Sequence, residues 1–158
     1  MEGFAELVAA WPGARFLRQS LVAYPLVNAL HILAIALVAG PILVLDLRIL
    51  GAFRAIPAAH LARPLARTAA VGVGLALVTG ALLFSTRPAG YLANPAFLLK
   101  VALVGLGILN ALVIRATPGW RRLLAGAEPG APDRALALVS AATWIAAILA
   151  GRWIAFVE

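Results

Sequence analysis

From Leu21 to Leu45 the chain carries no formally charged residue, and the same holds from Thr68 to Thr86 and from Ala135 to Gly151. A helix crosses the hydrocarbon core of a bilayer with about 20 mostly apolar residues. Three such runs within 158 residues leave few alternatives. A soluble domain of this length lacks the interior to hide them, since the chain is 64% hydrophobic and only 12% charged. A fourth run, about Ala96 to Arg115, qualifies once Lys100 is accommodated. In lipid, backbone polar groups must be satisfied internally, which for runs of this length means helices. The expected fold is therefore all-α, an integral membrane four-helix bundle. Its spans are predicted at about 21–47, 66–85, 95–117 and 135–157, in one domain covering 21–158.

Residues 1–20, "MEGFAELVAAWPGARFLRQS", begin acidic and are broken by Pro12-Gly13, which does not read as a cleavable signal. Phe4, Leu7, Val8 and Trp11 share a face at helical spacing, so a short interfacial segment is expected there. Within the first span, Gly40-Pro41 predicts a bend, because proline removes a backbone donor and crowds the preceding turn.

Thirteen basic residues oppose six acidic ones, but their positions point to membrane topology rather than to nucleic acid. Arg48, Arg54, Arg63, Arg67, Arg115, Arg121, Arg122 and Arg134 fall at one end of the predicted spans, the inner end. The outer end has Arg15, Arg18 and Arg87, with Lys100 and Arg152 just inside the spans. The arginine-rich end is expected in the cytoplasm of a bacterial inner (plasma) membrane, with both termini outside. The expected partner is the lipid bilayer, with no nucleic acid. Cysteine is absent, which removes disulfides and thiolate metal sites. No phosphate loop, nucleophile triad, paired carboxylates or zinc spacing is present.

Gly72, Ala76 and Gly80 form a small-residue stripe, and Ala147 and Gly151 form another. Such stripes let helix backbones approach closely in lipid. They serve packing inside the bundle, or contacts in a homo-oligomer or larger membrane complex.

Polar residues inside spans are costly, so their placement is informative. Tyr24, Asn28 and His31 are spaced by four and three residues and share one helix face. His31 lies roughly 15 Å below the outer end, and Lys100 and Arg152 lie one to two turns from that same end. Two cations in an apolar bundle call for an anion. Asp46 is about 22 Å from His31 along the helix, and Glu158 reaches Arg152 more easily than Lys100. An external ligand with carboxylates resolves this: heme b or a related porphyrin, with iron on His31 and propionates toward Lys100 and Arg152. Tyr24 and Asn28 would then orient the imidazole. Two plainer readings stand beside it. Lys100 and Arg152 can snorkel to headgroups, and His31 can be a neutral core histidine bonded to Asn28 or to a neighbouring helix. Asp46 and Arg48 are expected to form an interfacial ion pair or cap contacts, His60 to be solvated, and Asn110 to join helices.

"ALHILAIALVAGPILVLDLRILG", "LALVTGALLF", "YLANPAFLLKVALVGLGILN" and "LAGRWIAF" together resemble a bacterial membrane-protein family of unknown function, over about Tyr24 to Phe156. More distantly, a histidine in the first span, a glycine in the second and "P-x-F-x-x-K" opening the third are similar to two characterised groups. One is the copper-resistance D family of inner-membrane proteins, which "FLLKVALVGLGILNALVIR" resembles. The other is the heme-associated, four-helix protoporphyrinogen IX oxidase family, whose important histidine and lysine would correspond here to His31 and Lys100. The copper resemblance implies further Met, His or Cys ligands, yet Met1 is the sole methionine. The oxidase resemblance implies a second histidine near the site, and His60 belongs to the opposite end.

Three functions follow as expectations. The first is a heme- or porphyrin-binding redox protein, in electron transfer or as an oxidoreductase. The second is a copper or metal-ion transport or resistance factor, against which the apolar stretch between His31 and Asp46 counts. The third is a structural accessory subunit of a larger membrane complex.

Overall fold

The computed structural model describes residues 2–157, the side chains of Glu2 and Phe4 apart, and within them it is helical with no strand. The expected place of Phe4 on an interfacial face and any pairing of Glu158 lie outside the described residues. The elements are α1 (Glu2–Ala10), α2 (Pro12–Gln19), α3 (Ala23–Leu50), α4 (Ala58–Thr86), α5 (Pro88–Ala93), α6 (Pro95–Ala116), α7 (Pro118–Leu124) and α8 (Ala131–Trp153). Helices α3, α4, α6 and α8 are long and apolar enough to cross a membrane. Large apolar side chains such as Leu30, Leu33, Leu77, Val101, Leu109 and Leu149 face outward along them. A bundle whose outside is hydrocarbon is a multi-pass membrane protein.

Span boundaries differ from the expected ones for local reasons. Helix α3 runs to Leu50, where Gly51, at φ 116°, turns its N–H back onto the carbonyls of Leu47 and Arg48. That left-handed conformation suits glycine and ends the helix. Helix α4 starts eight residues earlier than expected, directly after Pro57, because the Ala, Leu and Arg of "AAHLARPLAR" are strong helix formers. His60 and Arg63 sit exposed on this extension, and Arg67 just beyond it. Helix α8 begins at Ala131, where Asp133 Oδ2 accepts the Gly130 N–H at 2.8 Å, and it ends at Trp153 rather than near Val157. The helix of α3 is continuous through Gly40 and Pro41.

The N-terminal segment is two short helices that cap the outer end of the bundle. Ala5, Ala14 and Leu17 are buried, Leu7 and Trp11 are exposed, and Arg18 donates to the carbonyls of Thr86 and Ala9 at 3.2 and 2.7 Å. At the inner end, Leu45, Ile49, Ala58, Ala62, Leu123 and Ala137 form a tight core.

Helix pairing is uneven. Helix α3 packs on α4 and on α8, and α8 packs on α6, but no Cα pair from α4 and α6 comes within 8 Å among the described residues. Helices α3 and α4 come into close backbone contact at Gly72, where an added Cβ would lie 2.8 Å from backbone atoms of Leu37 and Val38. The small-residue stripe of α4 is thus directed at α3. At the outer end the α4–α6 seam is closed by rings: Phe84 and Phe97 stack at 5.7 Å, and Tyr91 lies 5.0 Å from Phe97.

Candidate functional site

A polar centre lies in the outer half of the bundle, built by three helices. From α3, His31 faces α4 at Gly80, where an added Cβ would sit 3.2 Å from the imidazole Cε1. One turn of α4 supplies the partner: Thr79, buried, lies with Oγ1 2.8 Å from His31 Nδ1. The Thr79 hydroxyl donates to the Leu75 carbonyl at 2.7 Å, so its oxygen is left to accept the imidazole Nδ1–H. This arrangement selects one tautomer and leaves the lone pair on Nε2.

Lys100 approaches that nitrogen from α6, with Nζ 3.5 Å from His31 Nε2, the outer limit of a hydrogen bond. Its stem runs over Gly151 of α8, where a Cβ would lie 3.3 Å from Cδ and 3.4 Å from Cε. The first turn of α6 is anchored by Asn94. Its Oδ1 accepts the Phe97 N–H at 3.1 Å, while its Nδ2 donates to the carbonyls of Ile154 and Val157 at 3.1 and 2.6 Å. The cap thereby ties the start of α6 to the end of α8, and Lys100 follows within two turns. The sole ion pair among the described residues is Arg48–Glu128, so Lys100 has no carboxylate partner there.

Of the five residues expected at the site, the structure brings together His31 and Lys100. The other three lie apart from that pair. Arg152 is exposed, with its guanidinium 4.9 Å from the centre of the Phe156 ring, because leaving the bundle for an aromatic face keeps its charge solvated. Tyr24 sits exposed at the start of α3 beside Tyr91. Burial, and then the neighbouring Tyr24 phenol, push the Tyr91 hydroxyl above its ordinary pKa. Asn28 is exposed and joins no side-chain hydrogen bond among the described residues, so it does not orient the imidazole. That task falls to Thr79, which sequence reasoning missed. Its signal was available: Thr79 follows Gly72 by seven residues, two helical turns, on the face already marked as packing.

The inner end holds a second correction. Arg48 is fully buried and does not pair with Asp46. It donates through Nε to the Ile56 carbonyl at 2.7 Å and through Nη2 to Glu128 at 3.1 Å, fastening the turn after α3 to the loop before α8. Asn110 donates to the Leu136 carbonyl at 3.3 Å, joining α6 to α8 as expected of interhelical glue.

Chemically, the outer centre offers one basic nitrogen oriented by a hydroxyl, next to a primary amine with no carboxylate partner among the described residues. No group of three His, Cys, Asp or Glu residues stands close enough to hold a metal ion among the described residues. A metal bound here would have to bring most of its own ligands.

In comparisons with protein-family models, curated proteins and solved structures, nothing matches this chain. The resemblances drawn from its motifs rest on those residues alone.

Proposed function

We propose that this chain is a bacterial inner-membrane protein whose outer polar centre binds heme b or a related carboxylate-bearing porphyrin and serves a redox role. The arginine-rich inner end is assigned to the cytoplasm and both termini to the outside. The observation that carries the reading is the commitment of His31 Nδ1 to Thr79, with Nε2 left basic and Lys100 beside it.

The residues fit such a group in two respects. Axial imidazole ligands donate their second ring nitrogen to an acceptor that fixes their orientation, which is the role Thr79 fills. Lys100 has no carboxylate partner among the described residues, and a propionate would supply one. The fit also makes a demand: Lys100 must leave Nε2, which its flexible stem and a 3.5 Å separation permit. Arg152 stands apart from this pair, against the Phe156 ring. An iron porphyrin supplies a one-electron couple that the polypeptide lacks. His31 would ligate, Thr79 would hold the tautomer, Lys100 would bind a carboxylate, and the bundle would keep water from the imidazole.

Adding hemin to the protein purified in mild detergent tests this directly. A saturable Soret band that is abolished by His31→Ala, and whose affinity falls about tenfold in Lys100→Ala, supports the reading. Absence of a saturable band from folded wild-type protein overturns it.

A further inference from the structure

Two buried side-chain atoms find no hydrogen-bond partner among the described residues: Asp46 Oδ2 and Trp144 Nε1. Both residues line a cavity of about 220 Å³ in the inner half of the bundle, some 22 Å along α3 from His31. The cavity occupies the gap where α4 and α6 fail to pack. Ala69 and Val73 of α4 and Ile108 and Ala111 of α6 form its sides, and Asp46 of α3 stands behind them with Ser140 and Trp144 of α8.

A carboxyl group this deep needs a partner. Asp46 is 3% exposed, and the polar group beside it is the Ser140 hydroxyl. Neither nearby cation serves it. Arg48 is engaged by Glu128 and the Ile56 carbonyl. Arg115 also lines the cavity, but it is exposed and donates to the Ala66 carbonyl at 3.1 Å. A buried carboxylate without a cation or a full set of donors costs several kcal/mol, roughly, in a low-dielectric interior. Native structures rarely leave such an atom unserved without a functional reason.

We propose that this cavity binds a small lipophilic ammonium ion, its N–H groups on Asp46 and its hydrocarbon body against the apolar walls. Asp46, held as a carboxylate by the bound ammonium, selects a cation, the walls select a hydrocarbon, and the Trp144 indole adds an aromatic surface that attracts cations. Pockets for drug-sized ligands run to about 300–1,000 Å³, so the occupant here is a single ring or a short chain. Access is through the α4–α6 gap, where an amphipathic amine dissolved in the bilayer meets the protein side-on. This site is separate from the His31 centre and does not depend on it.

Isothermal titration calorimetry of the detergent-purified chain tests the proposal with 2-phenylethylammonium and its neutral counterpart 2-phenylethanol. The expected result is saturable one-site binding of the amine, at least tenfold tighter than the alcohol. Asp46→Asn, and separately Ala111→Leu, which fills the cavity, should each weaken amine binding at least tenfold. Absence of saturable amine binding, equal binding of the alcohol, or wild-type affinity in either folded variant overturns the proposal. Should Asp46→Asn fail to fold, the amine–alcohol comparison and Ala111→Leu still decide it.

Discussion

The amine of Lys100 stands 3.5 Å from the imidazole of His31, although no Cα pair of α6 and α3 comes within 8 Å. The two helices meet through this contact because the intervening helices give way. Gly80 of α4 and Gly151 of α8 each lack the Cβ that would crowd the ring or the lysine stem. Small residues in membrane bundles are usually read as backbone contacts. Here two of them make room for polar side chains instead.

Gly72 is the backbone contact of that stripe, and Gly72→Ala should destabilise the bundle. The new methyl would lie 2.8 Å from backbone atoms of α3, which cannot turn aside. Overpacking of this kind costs about 1–3 kcal/mol, more than the roughly 1 kcal/mol of helix propensity gained. Gly74→Ala meets nothing within 4 Å and should be neutral or slightly stabilising. Unfolding of both variants in detergent checks the ordering.

Thr79→Val keeps the shape of the side chain and removes the acceptor for His31 Nδ1. The imidazole should then lose its single tautomer. Nitrogen-15 NMR of labelled histidine reads this as a mixed population in place of an Nδ1–H signal, with Thr79→Ser restoring it. An unchanged tautomer in Thr79→Val would show that the hydroxyl does not set it.

Asn94 carries both a helix cap and the tie between α6 and the end of α8. Asn94→Ala should cost about 2 kcal/mol, from a cap worth roughly 1 kcal/mol and a similar loss from the abandoned carbonyls. Asn94→Asp keeps the cap and loses only the donors, so its cost should be about half. Equal losses in the two variants would mean that the cap contributes nothing.

Arg48 and Glu128 should respond unequally to truncation. Arg48 is buried and also serves the Ile56 carbonyl, whereas the Glu128 side chain is 75% exposed. Arg48→Ala is expected to cost about 3 kcal/mol or more, through lost packing and an orphaned carbonyl. Glu128→Gln retains a hydrogen-bond acceptor at the surface and should cost no more than about 1 kcal/mol. Comparable costs would contradict the burial argument.

The bilayer-spanning helices were legible because length and absence of charge decide them. Span ends were not: the extension of α4 through "AAHLARPLAR" follows from helix propensity, while polarity had marked that stretch as a connection. In the site, helical depth placed His31 and Lys100 at one level, and there they meet. Depth does not fix the direction of a side chain around its helix. Arg152 lies one residue past the glycine that accommodates Lys100, yet its guanidinium turns out onto Phe156. Asn28 shares a sequence-predicted face with His31 but faces outward, because one face of α3 spans more than a single neighbour. Thr79 was overlooked since a hydroxyl that can bond its own helix gives little sign of a second partner.

Magnetic circular dichroism of the ferric-heme complex tests the role assigned to His31 most directly, since it identifies the atom bound to iron. Wild-type protein reconstituted with hemin is predicted to show nitrogen ligation by imidazole, lost in His31→Ala and retained in Lys100→Ala. A ligation pattern identical in wild type and His31→Ala, or no complex with folded wild-type protein, would contradict it.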